Sequence, residues 1–195
     1  MRVFGVILAG GQGLRVGGAD KALLRLGPAP LVVHVADRLA PQVEDLAISA
    51  NGDPARFAFS GLCVLPDDVP QGPLSGVLAG LDWAATAGAD MLATVAVDTP
   101  FFPCDLVARL CLAAETSPSG VALAESADRP HPTFALWPVA LRDDLRQWLA
   151  AGQRRVMAFA ARHHPVRAHF PDTSAFLNLN TAEDLASAET LLAAG

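Results

Sequence analysis

Residues 8–21 form a glycine-rich segment, LAGGQGLRVGGADK, that carries two cationic side chains, Arg15 and Lys21. The segment directly follows the apolar run VFGVIL, whose composition predicts a buried strand. Glycines allow backbone N–H groups to close on an anion, and Arg15 and Lys21 supply the positive charge that glycines lack. This combination suits the binding of a triphosphate at the carboxyl end of a strand.

Two familiar phosphate-binding patterns do not fit this segment. Counted from Gly13, a P-loop requires a lysine where the sequence has Ala19. Counted from Gly11, the dinucleotide pattern G-x-G-x-x-G ends on Val16 instead of a small residue, although Asp37 lies at a suitable distance for a ribose-binding acid. The P-loop is therefore excluded, and an NAD-dependent oxidoreductase remains an alternative that lacks its third glycine.

Asp98 lies in VAVDTPFFP (95–103), just after a second apolar strand. Ligands of an open α/β sheet bind outside the carboxyl ends of its strands, so Asp98 and the glycine-rich segment should face one cleft. One carboxylate there suits Mg²⁺, which takes its other ligands from phosphates and water. The alternative is that Asp98 only caps the helix expected near Pro103. We predict that Asp98 is a metal ligand.

Three further features follow the strands that flank these two. Asn51, in ISANGD (48–53), either forms a plain Asn-Gly turn or reads the edge of a base with its amide. Acidic residues follow the next strand in LPDD (65–68). Gly76 and Gly80 lie one turn apart on a predicted helix, where each costs about 1 kcal/mol relative to Ala. A neighbour must therefore approach that helix closely, either the sheet or a planar base.

The elements that must position these residues alternate between strands and helices, which predicts an α/β fold. Several strands are apolar throughout, as in a parallel sheet covered on both faces. Residues 30–39 combine Val-rich composition with a proline at a helix start, and we favour a helix there. The predicted strands are 3–8, 45–50, 62–65, 91–97, 120–124, 133–137 and 167–170; the other predicted helices are 74–87, 103–115, 139–150, 153–161 and 181–193.

Composition narrows the class of protein. A chain of 195 residues that is 52% hydrophobic can bury the core of one globular domain. Its net charge of -6 argues against nucleic acids and anionic membranes as partners. Cys63, Cys104 and Cys111 form no CxxC pair, so neither a disulfide framework nor a zinc site is expected. The lack of such a framework leads us to expect a protein of the reducing cytoplasm. No uncharged apolar run reaches the roughly 18 residues of a membrane span, so a membrane anchor is not expected.

Together with HPTFAL (131–136), QRRVMAF (153–159) and FLNLNTAEDL (176–185), these motifs resemble, in the same order, those of the molybdenum cofactor guanylyltransferases. The resemblance implies a Rossmann-like nucleotidyltransferase fold: three layers, with a mixed, mostly parallel sheet and helices on both faces. It implies one domain, 1–195, in which residues up to about 105 bind the nucleotide and 106–195 face the pterin substrate.

The activity that the resemblance implies is the transfer of GMP from GTP to the terminal phosphate of molybdenum-molybdopterin, with release of pyrophosphate. It implies Mg²⁺ as cofactor, and molybdoenzyme chaperones or other cofactor-assembly proteins as further partners. The motif LAGG, where cytidylyl relatives have LAAG, favours GTP over CTP. A cytidylyltransferase, a sugar-phosphate nucleotidyltransferase and a non-catalytic GTP-binding carrier of the cofactor remain alternatives.

The resemblance also implies individual site residues. Asp98 would bind the metal, and either Asp67 or its neighbour Asp68 would face the nucleotide. The implied catalytic residues are Arg15, Lys21 and Asp98. The implied nucleotide-binding residues are Leu8, Ala9, Gly10, Gly11, Lys21, Asn51, Asp67 and Asp98. The implied contacts of the pterin substrate are Arg154, Arg155, Asn178 and Asn180.

The pterin side also has simpler interpretations. Arg154 and Arg155 fall at the start of a predicted helix, where cations are unfavourable and therefore hint at an anionic partner. Asn178 and Asn180 alternate with leucines, which predicts that both amides project from one face of a strand. His131 is expected to be structural, without a catalytic step.

The sequence TAED (181–184) predicts the start of the last helix. Thr181 and Asp184 have the spacing of a capping box, with Asp in place of the usual Glu.

Overall fold

The computed structural model describes residues 1–10, 15–16, 19–67 and 72–194. Gly11 and Asp68, and the side chain of Arg15, lie outside what it describes. The strands are β1 (Val3–Leu8), β2 (Arg15–Val16), β3 (Ala19–Asp20), β4 (Arg25–Leu26), β5 (Ala29–Pro30), β6 (Asp45–Ala50), β7 (Cys63–Pro66), β8 (Met91–Ala96), β9 (Ala122–Ser126), β10 (Arg129–Pro138) and β11 (Val166–His169). The helices are α1 (Leu31–Leu39), α2 (Pro73–Thr86), α3 (Leu106–Ala114), α4 (Arg142–Ala150), α5 (Val156–Arg162) and α6 (Ala182–Ala194).

The main sheet has seven strands in the order β11-β9-β10-β8-β1-β6-β7. The pairs β1–β6, β1–β8, β6–β7 and β9–β11 are parallel, whereas β10 runs antiparallel to both of its neighbours. Four minor strands form two short ladders, β2–β3 and β4–β5. The prediction of a mixed, mostly parallel sheet is confirmed.

Helices cover both faces of this sheet. On one face, α1 and α3 bury their apolar side chains against the strands, with Val35 and Leu110 fully buried. On the other face, α2, α4 and α5 do the same, with Leu81 and Phe159 fully buried. The three-layer α/β architecture is therefore as predicted. No described helix has both the length and the apolar character needed to cross a membrane.

The order in which strands are added to the sheet reverses at β1, which lies between β6 and β8. Leu8, the last residue of β1, pairs with Ser49 on one side and Ala96 on the other. The connection that leads to β6 carries α1, and the connection that leads to β8 carries α2, which lies on the opposite face. Such a switch point leaves a crevice outside the carboxyl end of the central strand, where α/β proteins bind ligands.

Several element boundaries differ from the prediction for local reasons. The helix predicted at 153 begins at Val156, because Gln153 N still bonds to Trp148 O and closes the turn after α4. The helix predicted at 103 begins at Leu106, because a turn precedes it in which Leu106 N donates to Pro103 O. Residues 139–141 of the predicted fourth helix form a 3₁₀ turn instead.

The second hairpin also differs from the prediction. β9 ends at Ser126, two residues beyond the predicted end, because the chain turns at Ala127 and Asp128, which have positive φ angles of 45° and 59°. Its partner β10 begins at Arg129 instead of residue 133. The strand includes Pro130 and Pro132, and a break in register between His131 and Ala135 accommodates them.

The close approach predicted at Gly76 and Gly80 is to the sheet. A Cβ on Gly76 would lie 2.7 Å from Ser49 Oγ and 2.9 Å from Leu8 Cδ2. A Cβ on Gly80 would lie 2.8 Å from Leu92 Cδ2. The two glycines therefore let α2 rest directly on β1, β6 and β8.

Gly76→Ala should lower the free energy of unfolding by about 1–3 kcal/mol, because an added methyl group must displace Ser49 or Leu8 from a packed interface. At an unobstructed helical glycine, the same substitution would instead raise the free energy of unfolding by about 1 kcal/mol. Urea unfolding measures the difference, and Ala85→Gly in the same helix calibrates the helix-propensity effect alone. Stabilisation by Gly76→Ala would contradict the close packing.

Candidate functional site

Lys21 and Asp98 form an ion pair at the carboxyl ends of the strands. Lys21 Nζ lies 2.9 Å from Asp98 Oδ2, and the two side chains are only 7% and 16% exposed. The side chain of Asp20 accepts from Ala22 N at 3.0 Å and so caps the short turn that carries Lys21. Asp98 itself caps no helix, because α3 begins at Leu106 with Asp105 at its N-cap. The end of the glycine-rich segment and the end of β8 therefore meet, as predicted.

Residues 177–180 lie across this ion pair. Leu179 N donates to Asp98 O at 2.7 Å, Thr99 Oγ1 donates to Asn178 Oδ1 at 2.7 Å, and Lys21 Nζ donates to Asn180 Oδ1. The Asn180 amide thus contacts the ion pair directly, and the Asn178 amide contacts the residue next to Asp98. The segment is not a strand, however, because its backbone bonds to Asp98 O instead of joining a sheet ladder.

The capping box at the start of α6 holds this segment in place. Thr181 Oγ1 accepts from Asp184 N at 3.1 Å, and Asp184 Oδ2 accepts from the backbone N–H groups of Asn180 and Thr181 at 2.8 Å each. These bonds, the one from Asn180 N first, lower the pKa of Asp184 below its usual value. The predicted capping role of Thr181 is confirmed, and its partner also fixes the backbone of Asn180.

A second polar cluster lies on the other side of β1. A Cβ placed on Gly10 would lie 3.5 Å from Asn51 Nδ2 and 3.7 Å from Asp67 Oδ2, so the three residues are close neighbours. The oxygen Oδ1 of Asn51 is buried and has no hydrogen-bond partner within the described part of the chain. Ser75 Oγ, at the start of α2, lies 2.6 Å from Asp67 Oδ2. A buried, unmatched acceptor of this kind calls for a donor from a ligand.

The end of β1 separates the two clusters. Ala9 N donates to Ser49 O at 2.9 Å, and Val97 N donates to Leu8 O at 3.2 Å, so the three strand ends are tied together. Leu8 is buried, and Ala9 and Gly10 are half-buried. A groove of about 660 Å³ adjoins this region and runs from Asp67 along α2 to α4.

Within the described part of the chain, neither Arg154 nor Arg155 contacts either polar cluster. Arg154 Nη1 donates to Leu149 O at 2.6 Å and to Gln153 O at 2.8 Å, so its charge is used at the C-terminal end of α4. Arg155 is exposed at the N-cap of α5. The predicted placement at a helix start holds for Arg155, the N-cap residue of α5, whereas Arg154 lies one residue earlier and bonds to the end of α4. Their contact with a substrate stays a prediction.

Two other residues have structural surroundings. His131 is within hydrogen-bond distance of Ser126 Oγ, at 2.7 Å, and stacks on Phe176 with ring centroids 4.2 Å apart. Burial, with a smaller effect from Arg129, lowers the pKa of His131 below its usual value. Asp37 is exposed in the last turn of α1, and not at the end of a strand as a ribose-binding acid would be.

Three residues near the clusters were missed by the sequence reasoning: Thr99, Ser75 and Arg56. Arg56 Nε lies 2.8 Å from Asp20 Oδ2, which joins the turn after β6 to the turn that carries Lys21. Thr99 directly follows Asp98 in the quoted motif VAVDTPFFP, so that motif contained its signal. Ser75 directly precedes Gly76, one of the two glycines noted on the predicted helix. Arg56 belongs to no motif, and nothing in the sequence indicated it.

The donor set at Asp98 fits a hard divalent cation that is bound chiefly through its substrate. Asp98 Oδ2 is matched by Lys21, whereas Oδ1 has a long contact of 3.3 Å to Thr99 Oγ1 and retains lone pairs. Among the described residues, no group of three or more His, Cys, Asp or Glu side chains could enclose a metal ion. Mg²⁺ is commonly held by one carboxylate together with phosphates and water.

Comparison with known proteins identifies the family of this chain. The family model described as "MobA-like NTP transferase domain" matches residues 5–167. A protein named molybdenum cofactor guanylyltransferase from Cereibacter sphaeroides is 66% identical over 98% of both chains. One of the same name from Bradyrhizobium sp. (strain ORS 278) is 50% identical over 97% of this chain and 92% of its own.

A solved structure has the same fold. Molybdopterin-guanine dinucleotide biosynthesis protein A from Archaeoglobus fulgidus superimposes with a TM-score of 0.76 at 20% identity, over 98% of this chain and 100% of the other. The family model and the relatives above extend this agreement from fold to sequence. The chain belongs to the molybdenum cofactor guanylyltransferases, within the MobA-like NTP transferase family.

Proposed function

We propose that this chain transfers GMP from GTP to the terminal phosphate of molybdenum-molybdopterin and releases pyrophosphate. The observation that carries the proposal is that two polar clusters flank the end of β1. Lys21 and Asp98 form one of them, and Gly10, Asn51 and Asp67 form the other. One offers charge to phosphates, and the other offers acceptors to a base. The names of the relatives supply the identity of the substrates.

The second cluster suits a guanine base. Guanine carries two neighbouring donors, the N1–H and the N2 amino group, on its Watson–Crick edge, whereas cytosine carries a single amino donor there. Asn51 Oδ1 is a buried acceptor without a protein partner in the described part of the chain, and the Asp67 carboxylate lies beside the same glycine. Two acceptors side by side match the guanine edge better than the cytosine edge.

The first cluster suits the phosphates. Lys21 is a nearly buried cation in which two of the three ammonium donors are used by Asp98 and Asn180. We propose that Lys21, together with Arg15 and the backbone near Gly11, binds the triphosphate, and that Leu8, Ala9 and Gly10 line its approach. A cation with little exposure to water interacts strongly with an anion because the local dielectric is low.

We propose Mg²⁺ as the cation that Asp98 holds. When bound, Mg²⁺ neutralises charge on the phosphates and the leaving pyrophosphate. The transfer needs little covalent help from the protein, which must align the reactants and stabilise charge. An oxygen of the pterin's terminal phosphate attacks the α-phosphorus of GTP, and the bond from that phosphorus to the bridging oxygen breaks. No general base is required, since the attacking phosphate is already ionised.

The acceptor substrate has a matching surface in residues 178–180. The side-chain oxygens of Asn178 and Asn180 accept from Thr99 and Lys21, so the NH₂ group of each amide is the part left to face a ligand. Lysine can only donate, which fixes the orientation of the Asn180 amide. Two amide donors beside a lysine suit the anionic end of the pterin substrate.

The free cysteines support a reducing compartment such as the cytoplasm. Cys63 and Cys104 are both exposed as free thiols, and Cys111 is partly buried with its pKa raised by burial. Molybdoenzyme chaperones remain proposed partners on the basis of the resemblance alone.

The decisive experiment measures pyrophosphate release from GTP, CTP, ATP and UTP, each with and without molybdenum-molybdopterin. We expect release from GTP that depends on the pterin. Binding of GTP without pterin-dependent release would indicate a carrier, and a preference for CTP would indicate a cytidylyltransferase.

Asp98→Asn should lower kcat by about 100-fold, because the loss of one preorganised charge contact typically raises the barrier by about 3 kcal/mol. The matched control is Glu44→Gln, which removes the charge of an ion-paired carboxylate at the opposite end of the sheet, 2.7 Å from Arg2. Steady-state pyrophosphate assays on both variants, with thermal melting to confirm folding, test the role. Equal turnover in the two variants would contradict it.

Asn51→Ala should raise the KM for GTP by roughly 5- to 150-fold, the range that corresponds to about 1–3 kcal/mol for a donor left unmatched. The KM for CTP should change much less, so the preference for GTP should fall. Gln147→Ala removes an exposed amide of α4 and serves as the control. A parallel change for both nucleotides would show that Asn51 does not read the base.

A further inference from the structure

The carboxylate of Asp98 is already matched by a cation of this chain. The ammonium group of Lys21 lies 2.9 Å from Asp98 Oδ2, in a place where the two side chains are 7% and 16% exposed. Asp20, the carboxylate next to Lys21 in sequence, cannot take over this cation, because Arg56 Nε lies 2.8 Å from its Oδ2 and Ala22 N donates to its Oδ1. Lys21 therefore acts as the counter-ion of Asp98.

A divalent ion on Asp98 would share one carboxylate with this ammonium group. Two cations so close together repel each other strongly where water is largely excluded. Within the described part of the chain, no cluster of three metal-binding side chains offsets that repulsion. A metal therefore binds the free protein weakly as long as Lys21 stays on Asp98.

Asn180 holds Lys21 in its position. Its side-chain oxygen accepts from the ammonium group, and its backbone N–H is fixed by Asp184 Oδ2 at 2.8 Å. The neighbouring Leu179 N donates to Asp98 O at 2.7 Å, so both partners of the lysine are tied to the segment 179–180. Asp98 and Asn180 thus both bind the ammonium group of Lys21.

We infer that Asn180 is a positioning residue that keeps Lys21 on Asp98, so that the ammonium group excludes a divalent metal from this carboxylate until an anionic substrate draws it away. The inference rests on the proposed function, which assigns the metal to Asp98. It adds an order of events: the metal enters together with the triphosphate and not before it.

The test measures the binding of Mn²⁺ to the nucleotide-free protein. Binding is monitored as a decrease in the electron paramagnetic resonance signal of free Mn²⁺. We expect no stoichiometric binding to the wild-type chain, and at least tenfold tighter binding to Lys21→Met. The binding gained should vanish in the double variant Lys21→Met/Asp98→Asn. Arg2→Met removes an equal charge from an exposed ion pair with Glu44 and should behave as the wild type.

A second variant covers the case in which Lys21→Met does not fold. Asn180→Leu keeps the lysine but removes its second partner, and should bind Mn²⁺ more tightly than the wild type. The inference would be overturned if the wild-type chain bound Mn²⁺ as tightly as Lys21→Met does and lost this binding in Asp98→Asn. Gain in Lys21→Met without gain in Asn180→Leu would overturn the role of Asn180. No nucleotide or pterin is present, so these results are independent of the pyrophosphate assay.

Discussion

The site depends on one interaction, the ion pair between Lys21 and Asp98. Both side chains are nearly buried, so each needs the other, and removal of one partner from such a pair typically costs about 3–5 kcal/mol. The pair also joins segments that are 77 residues apart in the chain, and Asn180 brings in a third segment, 159 residues from Lys21. The fold must therefore close around this pair before the site exists.

The sheet explains how such distant segments meet. Because β1 is flanked by β6 and β8, and all three are parallel, the residues that follow them emerge at one edge. Asn51 and Asp98 reach that edge from opposite sides of β1. The Lys21–Asp98 ion pair then lies on the β8 side of β1, and the acceptors of Asn51 and Asp67 lie on the β6 side, so the two sides of this crevice differ in chemistry.

Much of this could be predicted from the sequence. Apolar runs defined the strands, and the position of Asp98 after such a run was sufficient to expect it near the glycine-rich segment. The prediction that Asn178 and Asn180 project from one face of a strand was wrong, because residues 177–180 join no sheet ladder. Their positions are set by a backbone bond to Asp98 O and by side-chain contacts to Thr99 and Lys21, all of them long-range. Arg56 and the surroundings of Arg154 could not be predicted, since each depends on tertiary contacts without a local pattern.

Packing and binding are coupled at the start of α2. Gly76 lets this helix rest on Ser49 and Leu8, and the residue before it, Ser75, contacts the Asp67 carboxylate. A helix forced away from the sheet would carry Ser75 away from Asp67 and open the space beside Gly10. The Asp67 carboxylate, an acceptor of the second cluster, therefore keeps its contact with Ser75 because Gly76 has no side chain. This constraint acts through the packing of the backbone and not through contact with the ligand.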